Sequence, residues 1–267
     1  MLIKDAIDLK ERAFISLVGA GGKSTLFSLL ARELYQKKKR LVLTTTTHMF
    51  SSQLISDDKK ATLIENDDEK IIEERMKYFF GKRKLSELIL VHHRTEDEMG
   101  EKVAGPSPLF LSKCWQLGYA DYFLVEADGA RGRPIKAPTY HEPVICESTT
   151  DVIGVIGVDA LGLSLNERNV FRPELFSQLT GLKMGDKISV KDIITLVFHP
   201  LGLFKNIPFH SRTHLFINKA DDELKIKFAE KLAVQVLKHD YKRIHNIIIG
   251  KGINQAYPVI KVLKGSQ

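Results

Sequence analysis

The sequence predicts an α/β fold in which helices cover both faces of a mostly parallel sheet. Apolar segments of strand length alternate with helical segments nearly throughout the chain, a pattern typical of sheets that are buried on both faces. Hydrophobic residues make up 43% of the 267 residues, enough for a sizeable core. We find no internal repeat, so residues 1–267 are treated as a single domain. Residues 50–105 are polar and form a candidate inserted or mobile region.

The order of the predicted elements places a glycine-rich loop between the first strand and the first helix. Strand 13–19 is a short apolar run with charge before it and glycine after it. Helix 23–39 carries leucines at three- and four-residue spacing, and strand 40–47 is rich in β-branched residues. Further strands are predicted within 87–93, 121–127, 152–158, 213–221 and 243–250, and helices within 57–80 (in part), 108–118, 190–199 and 221–240.

The formal net charge of +7 raises the question of a nucleic-acid partner. Clustered lysines can neutralise phosphates, and the densest run is QKKKR at 36–40. This run ends a predicted helix, where lysines complement the helix dipole and solvate the surface. Because no nucleic-acid motif lies nearby, we expect no nucleic-acid partner.

The lengths of the apolar runs and the pattern of cysteines bear on where in the cell the protein is expected. No apolar run reaches eighteen residues, and the N-terminus lacks a basic stretch followed by an apolar one. We therefore expect neither a membrane span nor a secretory signal. Cys114 and Cys146 form no CxxC pair and indicate a reducing compartment. The sequence predicts a cytoplasmic protein.

The segment SLVGAGGKSTLF, residues 16–27, has the Gly-Lys-Ser-Thr ending of a phosphate-binding loop. A predicted strand runs into it and a predicted helix leaves it, which is the required context. Leu17 stands where the full motif has its first glycine, so a glycine turn with a solvent-facing lysine is the alternative. The sequence thus predicts a three-layer, P-loop NTPase-like fold. The nucleotide-binding residues we name are Gly19, Ala20, Gly21, Gly22, Lys23, Ser24 and Thr25.

Each loop residue type has a role toward a polyphosphate. Lys23 would reach the β- and γ-phosphates as a catalytic residue, the Ser24 hydroxyl would bind Mg²⁺, and Thr25 would contact the α-phosphate. Glycines allow several amide hydrogens to point inward, and the helix N-terminus adds partial positive charge. We expect the amides from Gly19 to Thr25 to form a socket for a nucleoside triphosphate, with Mg²⁺ as the second cofactor.

The segment YFLVEADGARGRP, residues 122–134, ends a predicted strand in two acids and continues into two arginines. In a phosphate-loop fold, an acid at this position holds the Mg²⁺ shell or orients the attacking water. Glu126 and Asp128 have the same parity on the strand, so both are named catalytic, and Asp128 is also a metal ligand. Arg131 and Arg133 would clamp an anionic substrate. The alternative is a surface loop holding its own salt bridges.

The segment FINKAD places an N-K-x-D motif after a late predicted strand. Asp221 can accept two hydrogens from the guanine edge, whereas adenine would leave its carboxylate unpaired. Asn218 and Lys219 complete the predicted base and loop contacts, so GTP is favoured over ATP. The alternative role for Asp221 is as the N-cap of the following helix.

The segment LTTTTHMF, residues 43–50, ends the second predicted strand in four threonines and a histidine. Polar residues at the carboxyl end of a strand beside a phosphate loop lie in the ligand crevice. Thr46, Thr47 and His48 are therefore candidate contacts for the γ-phosphate or the substrate. Threonine also favours strands without any function.

The chain resembles the YqeC family, which is associated with accessory roles for selenium-dependent molybdenum hydroxylases. The resemblance lies in SLVGAGGKST, LVLTTTTH, LVEADGARGRPIKAPTYHEPVI, VIGVIGVDALG, HPLGLFKNIP and FINKADD, with 50–115 the least similar. The family's loop is similar to G-A-G-G-K-[ST]-T, which accounts for Leu17. The resemblance implies a nucleotide-dependent role in selenium- and molybdenum-cofactor maturation, with a molybdenum hydroxylase client and a molybdopterin-type cofactor as partners.

Three functions remain open at this point. The first is an NTP hydrolase acting as an accessory factor. The second is a kinase- or ligase-like transferase whose acceptor is a small anionic cofactor precursor. The third is a non-catalytic carrier whose loop holds the phosphate of a cofactor. A looser likeness to nickel-enzyme metallochaperones, which pair a phosphate loop with N-K-x-D, adds the expectation of a homodimer.

Overall fold

The computed structural model describes residues 1–36, 39–54, 61–82, 87–97, 100–240, 242–252 and 257–265. The strands are β1 (Ala13–Gly19), β2 (Leu41–Thr45), β3 (His48–Phe50), β4 (Thr62–Glu65), β5 (Glu87–Val91), β6 (Arg94–Asp97), β7 (Gly100–Ala104), β8 (Tyr122–Glu126), β9 (Ile135–Lys136), β10 (Asp151–Gly157), β11 (Val170–Phe171), β12 (Arg212–Asn218), β13 (Asn246–Gly250) and β14 (Val259–Lys264). The helices are α1 (Ile3–Ala6), α2 (Lys23–Tyr35), α3 (Ser51–Leu54), α4 (Glu69–Lys82), α5 (Pro108–Gln116), α6 (Pro173–Thr180), α7 (Val190–Phe198) and α8 (Glu223–Asp240), with a 3₁₀ turn at Val158–Ala160.

One nine-stranded sheet organises the molecule, in the order β14-β13-β12-β10-β1-β8-β2-β5-β4. The strand that leads into the glycine-rich loop, β1, is central and runs parallel to β8 and β10. Among the described strands of this sheet, only β14 runs antiparallel to its neighbour, at the edge beside β13. The carboxyl ends of the parallel strands therefore share one edge, where open α/β sheets bind their ligands.

Helices cover both faces of this sheet. Successive side chains of a strand point to opposite faces, so Ile15 and Leu17 of β1 pack with Leu26 and Leu30 of α2. Phe14 lies in the opposite core, together with residues of α4 and α5. The same face carries α6, α7 and α8 farther along the sheet. The predicted three-layer α/β fold, a mostly parallel sheet with helices on both faces, is confirmed.

The segment 50–105 contributes to two sheets. It supplies β4 and β5 to the main sheet, and its strands β6 and β7 join β3 in a three-stranded antiparallel sheet. The predicted partial helix within 57–80 corresponds to β4 followed by α4. Positions 55–60, and Lys37 and Lys38 of the basic run, lie outside the described residues.

No helix in the described ranges is both long enough and apolar enough to cross a bilayer.

Candidate functional site

A cavity of about 780 Å³ opens at the carboxyl edge of the sheet. Its walls come from the start of α2, the β2–β3 connection, the end of β8 and the loop 129–133. The cavity is lined by eleven of the residues named from the sequence: Gly21, Gly22, Lys23, Ser24, Thr25, Thr47, His48, Glu126, Arg131, Arg133 and Lys219. The other named residues do not line it: Gly19, Ala20, Thr46, Asp128, Asn218 and Asp221.

The first three amides of the glycine-rich loop are used by the protein itself. Their acceptors are the Asp128 carboxylate for Gly19 (3.1 and 3.0 Å), the Val155 carbonyl for Ala20 (2.9 Å) and the Arg133 carbonyl for Gly21 (2.9 Å). These bonds fix the loop against β8 and β10. They also reduce the number of amides that the predicted socket from Gly19 to Thr25 can offer, because these three are not available to a phosphate in this conformation.

The next four amides, from Gly22 to Thr25, have no hydrogen-bond acceptor among the described residues. α2 begins at Lys23, and the first amides of a helix have no partner within it. Gly22 has φ 109°, and a Cβ there would lie 2.3 Å from the Asn218 Nδ2. Glycine is therefore required for the turn that presents these amides to the cavity.

The Lys23 ammonium is buried within the site. Its Nζ donates to Glu126 Oε1 and to the Asp128 carbonyl, both at 2.5 Å, and lies 3.4 Å from Asp128 Oδ1. Burial would lower the pKa of Lys23, but the charges of Glu126 and Asp128 raise it overall, so the side chain is charged. The side chain is 3% exposed, which excludes the solvent-facing alternative.

The two acids after β8 have different surroundings. Glu126 lines the cavity, and its buried Oε2 has no hydrogen-bond partner in the described part of the chain. The Asp128 carboxylate instead accepts from the Gly19 amide and lies 3.0 Å from the Lys136 Nζ. Both acids reach Lys23, as their shared parity predicts, but only Glu126 faces the space where a ligand would lie.

Lys136 links Asp128 to a second acid. Its side chain is 1% exposed, and its Nζ donates to the Gly129 carbonyl (2.7 Å) and to Glu142 Oε2 (2.8 Å). Glu142 also accepts two bonds from Arg172, at 2.5 and 3.1 Å. Burial raises the pKa of Glu142, but the hydrogen bond from Arg172 and the charge of Lys136 lower it to about 2.

Phe171 and Arg172 line the same cavity and were missed by the sequence analysis. They arrive through the short parallel pairing of β11 with β9, which sets Phe171 opposite Lys136. A two-residue pairing leaves no periodic signal in a sequence. Arg133, which was named, donates through Nε to the Glu167 carbonyl at 2.8 Å.

The N-K-x-D residues lie beside the loop. Asn218 donates through Nδ2 to the Gly21 carbonyl (2.8 Å), and the Lys219 Nζ lies 2.9 Å from Asp159 Oδ2. Exposed Asp221 accepts from the Gly252 amide at 2.9 Å. The side chain that caps α8 is that of the next residue, Asp222, which accepts from the Lys225 amide at 2.8 Å. The capping alternative for Asp221 is therefore wrong.

The threonines after β2 have different surroundings: one is bonded to another loop, and the other lines the cavity. Thr46 donates through its hydroxyl to the Val144 carbonyl at 2.6 Å and so ties two loops together. Thr47 and exposed His48 line the cavity.

A divalent ion at this site would need ligands beyond the protein carboxylates. The described residues contain no group of three or more His, Cys, Asp or Glu side chains suited to a metal. Mg²⁺ is commonly held by one or two protein oxygens together with substrate phosphates and water. Ser24, Thr25 and Glu126 are oxygen-bearing side chains of the cavity wall at or beside the available amides.

Comparison with known proteins gives three findings. The family model described as YqeC protein matches residues 15–174. The "Uncharacterized protein YqeC" of Escherichia coli (strain K12) is 37% identical over 143 residues, which span 54% of this chain and 56% of that protein. The crystal structure of FlhF complexed with GMPPNP/Mg(2+) aligns with 98% of this chain and 78% of its own, at 13% identity and a TM-score of 0.41.

Proposed function

Since the chain belongs to the YqeC family, whose matched region contains the loop, both acids and the arginines that follow them, we propose a Mg²⁺-dependent P-loop protein that binds and hydrolyses a nucleoside triphosphate. One observation carries the proposal. Four adjacent amides, from Gly22 to Thr25, lie beside buried Lys23 and the Glu126 Oε2 in one cavity, and neither the amides nor this oxygen has a hydrogen-bond partner within the described ranges.

The phosphates would be bound by the amides at the start of α2. These donors, together with the partial positive charge of the helix N-terminus, favour an anion at this position. Lys23 would exchange part of its contact with Glu126 for phosphate oxygens and oppose the charge of the transferring group. The cavity volume of about 780 Å³ lies within the roughly 300–1,000 Å³ of small-molecule sites.

Mg²⁺ fits the residues of this site. The Ser24 hydroxyl and the unpartnered Glu126 Oε2 would hold the ion, which would neutralise phosphate charge when bound. Glu126 replaces Asp128 as the carboxylate we propose for this role, because Asp128 holds the Gly19 amide and faces Lys136. Asp128 is instead the residue that keeps the loop in place.

The base preference we propose is guanine. Asp221 uses one carboxylate oxygen for the Gly252 amide, and its side chain remains exposed. Its second oxygen would accept from the guanine edge, while the Lys219 side chain, at the cavity wall, would lie along the base. Asn218 would brace the loop through its bond to Gly21.

Calorimetry with Lys23→Ala tests nucleotide binding. The variant is expected to lose at least tenfold in affinity for Mg²⁺-GTP, because it lacks the buried ammonium that lines the same cavity as the amides from Gly22 to Thr25. Lys183→Ala, at an exposed lysine outside the cavity, is the matched control and should bind like the parent. Parent-like affinity in Lys23→Ala would refute the proposal.

Product analysis separates hydrolysis from transfer. Glu126→Gln should release phosphate at least tenfold more slowly than the parent, because it loses the carboxylate charge proposed to hold the ion. Thr47, His48, Arg131 and Arg133 line the space beside the loop and are the proposed substrate contacts, which favours a small anionic acceptor as the second candidate function. Free phosphate without added acceptor supports hydrolysis. A phosphorylated small molecule supports transfer.

The biological setting that we propose comes from family membership. The activity would serve the maturation of a selenium-dependent molybdenum hydroxylase. A homodimer that closes over the nucleotide is proposed separately, from the pairing of a phosphate loop with N-K-x-D. Elemental analysis of the protein purified from its own cells should find molybdenum or selenium in a bound small molecule. Light scattering with and without Mg²⁺-nucleotide tests the dimer. Absence of both elements contradicts the proposed cofactor role. A particle mass that nucleotide leaves unchanged contradicts the proposed dimer.

A further inference from the structure

We propose that Arg131, Phe171 and Arg172 form a binding subsite for a second small molecule that carries phosphate or carboxylate groups, beside the nucleotide. This inference rests on the proposed function, because it assigns the rest of the same cavity. The subsite lies in the part of the wall that β11 and the loop 129–133 provide.

The described residues that line the cavity include more cationic than anionic side chains. Its lining contains six lysines and arginines against two glutamates: Lys23, Lys102, Arg131, Arg133, Arg172 and Lys219 against Glu126 and Glu142. Among the described residues, exposed Arg131 has no carboxylate within ion-pair distance. A concave surface with excess positive charge concentrates anions and orients them.

Phe171 holds the two guanidinium groups in the cavity wall. Its ring centroid lies 4.3 Å from the Arg172 Cζ and 5.5 Å from the Arg131 Cζ. Guanidinium groups are attracted to aromatic faces, so the ring limits their motion. Phe171 is half-buried and lines the cavity, which keeps the groups at the ligand space.

The backbone at both arginines is strained. Arg131 has φ 46° and Arg172 has φ 65°, in the left-handed region that residues other than glycine rarely adopt. Lys219, at φ 63°, is a third cation of the cavity with such a backbone. Strain of this kind persists where the surroundings enforce it, and it clusters at ligand sites.

A buried chain of ionic contacts sets the position of Arg172. Glu142 accepts both of its bonds, Lys136 bridges Glu142 to Asp128, and Asp128 binds the Gly19 amide. A guanidinium has five donors, so Arg172 retains donors for a ligand while two are bound to Glu142. The subsite is thus fixed to the same network as the phosphate loop.

Calorimetry with pyrophosphate as the probe tests the subsite. The protein is first saturated with Mg²⁺ and a non-hydrolysable GTP analogue, so that the phosphate loop is filled. Pyrophosphate should then bind the parent at one site. Its affinity for Arg131→Ala and for Arg172→Lys should be at least tenfold lower than for the parent. Arg168→Ala, at an exposed arginine outside the cavity, should stay within twofold of the parent.

The outcomes that overturn the subsite differ from those that overturn nucleotide binding. Loaded protein that binds no pyrophosphate, or binds it equally in all variants, refutes the subsite. If the parent fails to bind the GTP analogue, the proposed function fails, and the titration is repeated in Lys23→Ala without nucleotide. If pyrophosphate binding to Lys23→Ala still depends on Arg131, an anion subsite is supported. If pyrophosphate binding to Lys23→Ala does not depend on Arg131, the subsite is refuted. Arg131→Ala keeps the test valid if Arg172→Lys perturbs folding, because Arg131 is exposed.

Discussion

Replacing Lys136 by methionine should destabilise the fold through the carboxylates it leaves behind. The side chain is 1% exposed, and its ammonium contacts Asp128 at 3.0 Å, Glu142 at 2.8 Å and the Gly129 carbonyl at 2.7 Å. Methionine keeps much of the volume but removes the charge. Breaking a buried ion pair by removing one partner typically costs about 3–5 kcal/mol. We expect a loss of that size in the free energy of unfolding.

Urea unfolding followed by circular dichroism measures this loss. The exposed substitution Lys183→Met is the control and should stay within about 0.5 kcal/mol of the parent. Asp128→Asn introduced together with Lys136→Met should recover part of the loss, because it removes one of the two carboxylate charges that lose the Lys136 ammonium, while Glu142 keeps its bonds from Arg172. A loss below about 1 kcal/mol in the single variant, or no recovery in the double variant, would refute the buried network described here.

Three further predictions concern the stability of the fold in acid, the reactivity of the two thiols and the preference for GTP over ATP. The pKa of Glu142 falls from 4.5 to about 2 on folding, so its contribution is complete above pH 4.5 and disappears toward pH 2. The full pKa shift corresponds to about 3.4 kcal/mol, and because Glu142 is only partly buried, solvent screening lowers the expected cost of Glu142→Gln to about 2 kcal/mol at pH 6. The stabilities of the variant and the parent should converge in acid, as measured by urea denaturation. Burial raises the pKa of Cys114 and Cys146 to about 12, so a thiol reagent should modify them only after unfolding. Asp221→Asn should reduce the ratio of GTP to ATP affinity in calorimetry; an unchanged ratio contradicts guanine recognition.

Much of the fold could be predicted from local pattern. β1, the loop and α2 follow one another within 13–35, and the apolar run before Glu126 is β8. Strong periodicity and glycine placement define such elements without tertiary information. The antiparallel edge strand β14 and the pairing of β9 with β11 were not predicted, because short strands are specified mainly by their partners.

The chemistry of the site was predicted less completely. A sequence shows which residues carry donors but not where those donors are used. The amide of Ala20 binds Val155, which lies far along the chain, so its use depends on the packing of β1 against β10. The different surroundings of Glu126 and Asp128 likewise depend on Lys136, which lies 3.0 Å from the Asp128 carboxylate. The residue types predicted a phosphate site, whereas tertiary contacts determine which of its donors and acceptors are already bonded within the protein.

The contact between Lys23 and Glu126 has a thermodynamic consequence. The Lys23 Nζ lies 2.5 Å from Glu126 Oε1, so the two opposite charges are paired. A polyphosphate must draw the ammonium away, which leaves the carboxylate in need of a cation, and a divalent ion at the carboxylate would release the ammonium. Binding of anion and cation is then mutually reinforcing, and linkage requires that each raise the affinity of the other by the same factor. Under the proposed function, the Mg²⁺ concentration would therefore change the nucleotide concentration at which the site fills.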